Sequence, residues 1–288
     1  MPPSLTAPDI AARLNLKRYP RSWRGRCPSC DYPTTFSVRA GRDGRPLLYC
    51  ASCQDRDALA EAVANATGQE RQPRPSDKDE AALRQRKQDR ALALWRGSES
   101  ARGTPAERYL TARALPALAA SSALRFRADT PHPEGGRYPA LIALVSAPDG
   151  TPLAVHRTFI TRDGRKAKMA PVKASLGPVW GGAIRLNDHE PDRPLAIGEG
   201  IESAGAAGVL LGLPAWAALS AGNMAKGLVL PPEVRRIVIA ADPDGPGREA
   251  ARDAWIRWRA EGREVRVALP SGPDDFNAML TARGGNHV

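Results

Sequence analysis

Two groups of residues in this chain are of types and spacings that do chemistry. The first is Cys27, Cys30, Cys50 and Cys53, the only cysteines among 288 residues, arranged C-x2-C-x19-C-x2-C in the stretches CPSC and CASC. Each CxxC pair presents two thiolates from a tight knuckle. Four thiolates close a tetrahedral zinc site and leave no position for a substrate, so the expected metal is structural Zn2+. Disulfides are the rival reading, but the opening MPPSLTAPDIAARL lacks the pattern of a secretory signal, and cytosolic redox works against them. The second group is Glu199 in LAIGEGIESAGAAG with Asp242 and Asp244 in RRIVIAADPDGPGREAA. Taken singly, each is accounted for as a first-turn charge near a helix N-terminus. Together they follow apolar, strand-like runs and are flanked by Gly198, Gly200, Gly245 and Gly247, where bare backbone leaves room for a metal and a phosphate. Aspartates two apart on a bending strand end can turn oxygens toward one hard cation such as Mg2+.

The elements that must position these residues are legible in outline. Residues 1–67 read as a short helix in APDIAARLNL, the cysteine module and a second helix in DALAEAVANAT; residues 68–124 read as a polar, proline-containing linker and a helical region. In TPAERYLTARAL, Thr104 is placed to cap a helix, with Pro105 at its first position and Glu107 three residues after the cap. Residues 125–193 are basic and strand-rich, with PALIALVSA and PLAVHRTFI joined by the turn sequence PDGT. From Pro194 to about residue 283, strands LAIG, RIVIAA and EVRVALP alternate with helical stretches. That alternation predicts a mostly parallel sheet, and ligands of such sheets bind beyond the carboxyl ends of the strands, where Glu199, Asp242 and Asp244 fall.

The formal charge is +11 and would attract polyanions, although a composition rich in Ala, Arg, Gly and Pro raises arginine for other reasons too. Two strips concentrate it. Residues 13–26, RLNLKRYPRSWRGR, hold six basic residues and no acid, among them Arg24 and Arg26, interleaved with Tyr19 and Trp23. Such a pattern suits single-stranded nucleic acid through stacking and phosphate contact; equally, Trp23, Phe36 and Tyr49 could be the mini-core of a small ribbon. Residues 155–173 carry six Lys or Arg against one Asp, which on its own reads as a hairpin with a solvated basic edge. No apolar run is long enough to span a bilayer. A cytoplasmic protein is the expectation.

GEG at 198–200 with AADPDGPG from Ala240 resembles the Toprim domain shared by DnaG-type primases, topoisomerases, certain nucleases and the RecR recombination mediator. In that family the glutamate ends a strand and the D-x-D pair follows a later one, matching Glu199, Asp242 and Asp244. The tail PSGPDDFNAML resembles the closing element of phage and plasmid primase Toprim domains, with Asp275 and Asn277 in matching places and Ala278 where a second aspartate is usual. A zinc ribbon ahead of Toprim is the primase order, and this chain looks like the prophage or mobile-element type. The implied fold is α/β: an N-terminal four-cysteine zinc ribbon, a helical linker and a primase-like core ending in a Toprim domain. The implied activity is DNA primase, with Mg2+ or Mn2+ at Glu199, Asp242 and Asp244, single-stranded DNA as template, nucleoside triphosphates as substrates, and Arg157, Lys166 and Lys168 as counterparts of the basic surface that holds template and nucleotide phosphates in that family. The resemblance also admits a RecR-like DNA clamp without chemistry, or a metal-dependent nuclease. No GxxxxGK[ST] segment is present, so a separate helicase is the expected partner at a fork.

Overall fold

The computed structural model describes residues 5–41, 44–68, 77–271 and 274–284. Residues 69–76 of the expected linker lie outside the described residues. The chain divides into two compact units: Met1–Glu80 with His132–Gly136, and Ala81–Pro131 with Arg137–Val288.

In the first unit, helix α1 (Ala7–Arg13) is followed by strands β1 (Lys17–Arg18), β2 (Trp23–Gly25), β3 (Phe36–Ala40) and β4 (Pro46–Cys50), then helix α2 (Arg56–Thr67). The strands form an antiparallel sheet in sequence order. Both helices start on local capping chemistry. The Thr6 amide donates to Asp9 Oδ2 at 2.8 Å, and Asp55 Oδ1 accepts the Asp57 and Ala58 amides. A core of Ile10, Ala11, Phe36, Val38, Leu59 and Val63 closes around Cys27 and Cys50. The aromatic question divides: Phe36 is buried, Trp23 is half-buried, and Tyr49 stands 48% exposed.

The second unit opens within the long helix α3 (Asp77–Arg96). Strand β5 (Glu99–Ser100), helix α4 (Pro105–Thr111) and a short 3-10 turn follow, and then strands β6 (Leu124–Pro131), β7 (Arg137–Ser146), β8 (Pro152–Phe159) and β9 (Lys173–Leu176). These strands make one antiparallel sheet, ordered β5-β6-β7-β8-β9. Thr104 caps α4 through Ala106, while Glu107 reaches back to the Gly103 amide at 2.7 Å instead of the cap residue's own.

The remaining elements are β10 (Ile184–Arg185), β11 (Leu195–Gly198), α5 (Ile201–Leu211), β12 (Ala215–Ala217), β13 (Arg236–Ala240), α6 (Gly245–Ala260), β14 (Glu264–Ala268) and α7 (Phe276–Gly284). The second sheet runs β10-β12-β11-β13-β14, parallel except for β10 at one edge. From β11 the chain crosses through α5 to β12 on one side; from β13 it crosses through α6 to β14 on the other. Right-handed crossovers in opposite directions put α5 and α6 on opposite faces, and the order reverses between β11 and β13. The tight packing of α5 explains one glycine, since a Cβ on Gly198 would lie 2.9 Å from the Ala204 backbone.

Candidate functional site

The four cysteine sulfurs lie within 4.8 Å of one another, and among the described residues they are the only such group of potential metal ligands. Cys27 follows β2, Cys50 ends β4, and each CxxC is succeeded by a left-handed residue, Asp31 at φ 57° and Gln54 at φ 50°, which turns the knuckle back on itself. Cys27 and Cys53 donate to Cys50 and hold its pKa well below the usual thiol range; the same contact pushes the Cys27 thiol up to about 11. Four thiolates this close need a dication between them. The cluster fits one tetrahedral metal ion.

In the second unit, Glu199 leaves the end of β11 and Asp242 the end of β13. These strands are paired neighbours with Gly198 opposite Ala240, so the two carboxylates emerge at the point where the strand order reverses. Both line a cavity of about 300 Å³ with Tyr109, Arg113, Lys166, Lys173, Glu202, Ser203, Asp275 and Asn277. Glu199 Oε2 and Asp242 Oδ1 are buried without a hydrogen-bond partner. Burial, then the charges of Asp242 and Asp244, pushes Glu199 up to about 7; burial also raises Asp242, against a hydrogen bond from Ser203. Two carboxylates that bare, that close and that poorly solvated fit a cation.

The other expected site residues are placed unequally. Asp244 is exposed and caps α6, its Oδ1 accepting the Gly247 amide at 2.7 Å. Asp275 likewise accepts the Ala278 amide at 2.8 Å, and Asn277 donates to the Arg113 carbonyl at 2.8 Å. Lys166 lines the cavity; Lys168 is exposed outside its lining. Arg157 departs from expectation. It is only 6% exposed, and its guanidinium donates to the carbonyls of Pro131, Ala174 and Ser175, so it straps strands together and does not face a phosphate. In the first unit, Arg24 pairs with Glu134 at 3.0 Å with its side chain 16% exposed, whereas Arg26 pairs with Asp31 at 2.8 Å and stays 61% exposed.

Sequence reasoning passed over Tyr109, Arg113, Lys173 and Glu202. Lys173 closes the basic strip that was singled out, and Glu202 stands three residues after Glu199, on the first turn of the helix that follows it. These were the available signals.

Residues 194–286 match the family model of the Toprim domain. This part of the chain is a Toprim domain. Of the cavity's carboxylates, Glu199 follows β11, Asp242 follows β13, Glu202 lies on α5 and Asp275 precedes α7. Residues 85–186, ahead of the Toprim domain, match a domain of unknown function (DUF7146). No protein of curated function matches the chain. Among solved structures, the chain is similar to the Aquifex aeolicus primase, zinc-binding and RNA polymerase domains, at 16% identity, covering 96% of this chain and 81% of that one, with a TM-score of 0.48. It is similar also to the primase fragment of the bacteriophage T7 primase-helicase protein, at 15% identity, 93% and 96% coverage and a TM-score of 0.42. A third is the RNA polymerase domain of Mycobacterium tuberculosis primase DnaG, at 15% identity, 70% and 82% coverage and a TM-score of 0.46. At this level of likeness these structures fix neither substrate nor reaction. Among the described residues, no helix is long and apolar enough to cross a membrane.

Proposed function

We propose that this protein is a DNA primase that synthesises short primers on single-stranded DNA by metal-dependent nucleotidyl transfer. The observation that carries the reading is the pair of buried carboxylate oxygens, Glu199 Oε2 and Asp242 Oδ1, left without protein partners in a cavity that also presents Lys166, Lys173 and Arg113. Acidic groups that need a cation, facing cations that need an anion, make a site for a metal-bound phosphate. A Toprim domain preceded by a four-cysteine cluster supports the same reading.

Glu199 and Asp242 would hold Mg2+ or Mn2+, joined by Asp244 from its cap position; the four cysteines would hold a structural Zn2+. A bound divalent cation offsets phosphate charge and lowers the pKa of an attacking hydroxyl. Alternatively, Glu199 would take that hydroxyl's proton instead of ligating the metal. Lys166 and Lys168 would contact nucleotide or template phosphates, with Arg26, Arg24 and the exposed Tyr49 serving single-stranded DNA on the ribbon. Asp275, just before α7, and Asn277, within it, line the cavity. The decisive assay gives purified protein labelled nucleoside triphosphates and single-stranded templates, with and without a partner helicase. Primer synthesis that disappears in Asp242→Ala is expected. DNA binding without synthesis under every condition would favour a clamp, and metal-dependent shortening of the template a nuclease.

A further inference from the structure

Glu202 differs from Glu199 in one respect that decides its role: both of its oxygens are taken. Tyr109 donates its hydroxyl to Oε1 at 2.5 Å, and Lys173 donates its ammonium to Oε2 at 2.7 Å. The three residues arrive from separate elements, Tyr109 from α4, Lys173 from the first position of β9 and Glu202 from the first turn of α5. Lys173 holds Glu202 far below the ordinary carboxylate range, against the cost of its burial, so this glutamate is a permanent anion at neutral pH. It has no bare oxygen to offer a cation.

Lys173 is left with capacity. An ammonium has three donors, Glu202 takes one, and the side chain remains 34% exposed, against 14% for Glu202. Its surroundings are the cavity: a Cβ built on Gly200 would lie 3.9 Å from Lys173 Nζ and 3.4 Å from Glu202 Oε2, so the pair sits against the residue that follows Glu199. The φ of Gly200 is −102°, a value any residue adopts. What the glycine provides there is an uncovered path to the ion pair. The Tyr109 ring is covered by the Arg113 guanidinium at 3.7 Å, which fixes the hydroxyl end of the seat.

We propose that Glu202 and Tyr109 are positioning residues that seat the Lys173 ammonium as the cation receiving the phosphates of an incoming nucleoside triphosphate. A flexible lysine pays rotamer entropy when it grips an anion; one already fixed by a buried carboxylate does not, yet keeps its free donors. The inference rests on reading the cavity as a triphosphate site, and it assigns a division within EGIE: Glu199 bare for the cation, Glu202 committed to the lysine.

The test is calorimetric titration of ATP into the 288-residue chain with magnesium, paired with steady-state primer synthesis. By the strength of charge-assisted contacts to phosphate, Lys173→Ala is expected to weaken ATP binding about 30-fold and Lys173→Arg to restore most of it. Glu202→Gln and Tyr109→Phe leave the lysine in place but loosen it, and should raise KM for the nucleotide about five-fold and two-fold with kcat nearly unchanged. A merely structural role would lower kcat with the active fraction and leave KM alone. Should either single charge change unfold the protein, the neutral pair Lys173→Met with Glu202→Gln removes both charges together and should bind ATP as weakly as Lys173→Ala. Unchanged ATP affinity in Lys173→Ala or in the neutral pair, or a Glu202→Gln loss confined to kcat, overturns the inference. Lys173-dependent ATP binding in a protein that makes no primer keeps it and removes the primase reading; primer synthesis with unchanged KM in Lys173→Ala does the reverse. No ATP binding by the wild-type protein overturns both.

Discussion

Asp244 Oδ1 accepts the Gly247 amide at 2.7 Å, while Asp242, two residues earlier, keeps a buried Oδ1 without a partner. The pair D-x-D therefore holds two different jobs. One aspartate starts α6, and the other faces the cavity.

The two jobs separate by mutation. Asp244→Ala is expected to lower stability by about 1 kcal/mol, the usual cost of a lost N-cap, while Asp244→Asn keeps the cap and the stability. Asp242→Asn should raise the melting temperature of magnesium-free protein, because it removes a charge that burial disfavours. Both asparagine variants should lose metal-dependent activity. Differential scanning calorimetry and the primer assay, run on one set of variants, check the division.

Glu199 gives the protein a pH signature. Its folded value of about 7 lies above the ordinary 4.5, so the folded chain binds this proton more tightly than the unfolded one. Its charge costs nothing below pH 4.5, and the cost grows until the group has ionised above pH 7. Stability in magnesium-free buffer should therefore fall by up to about 3 kcal/mol across that window through this one group, and Glu199→Gln should flatten the fall. Melting curves from pH 4.5 to 7.5 measure it; adding Mg2+ at pH 7.5 should raise the wild-type melting temperature more than that of Glu199→Gln.

The cysteine cluster predicts about one zinc per chain by elemental analysis, lost in Cys27→Ser or Cys53→Ser. Structural zinc contributes on the order of 10 kcal/mol to small modules, so chelation should unfold the first unit and leave the cooperative melting of the second. Metal-free protein with an intact first unit would contradict the assignment.

Charge removal, read through the salt dependence of DNA binding, distinguishes the basic residues. Lys166→Ala, Lys168→Ala and Arg26→Ala should each reduce the slope of log K for single-stranded DNA against log salt by about 1. Arg157→Ala should leave that slope unchanged and lower stability by about 2 to 4 kcal/mol, since three strand carbonyls lose a charged donor. Fluorescence anisotropy over a salt series, with thermal melts alongside, reads both.

The cysteine spacing and the strand-then-carboxylate pattern were legible because each is local: a ligand knuckle spans four residues, and a strand end is marked by an apolar run meeting glycine. β12 escaped notice as a strand because AWA is three residues long in an alanine-rich stretch that carries no period. Arg157 read as a surface cation because charge alone does not reveal three carbonyls supplied by other strands. Phe36 and Tyr49 could not be told apart before their register was known; Phe36 pairs with Cys50 and Ser37 with Tyr49, which turns them to opposite faces. Tyr109, Lys173 and Glu202 come together across a separation of up to 93 positions, which no sequence window contains.

The pairing of Gly198 with Ala240 makes Glu199 and Asp242 departures from adjacent rungs of one hydrogen-bonded ladder. Their mutual reach is set first by inter-strand spacing, about 4.8 Å, since Glu199 follows β11 by one residue and Asp242 follows β13 by two. Insertions or drift in the turns, in β9 or in α7 can reshape the rim of the cavity and so retune what enters it, while the gap between the two acids stays at its setting. The chain has placed its least adjustable dimension under the two acids whose buried oxygens lack a protein partner.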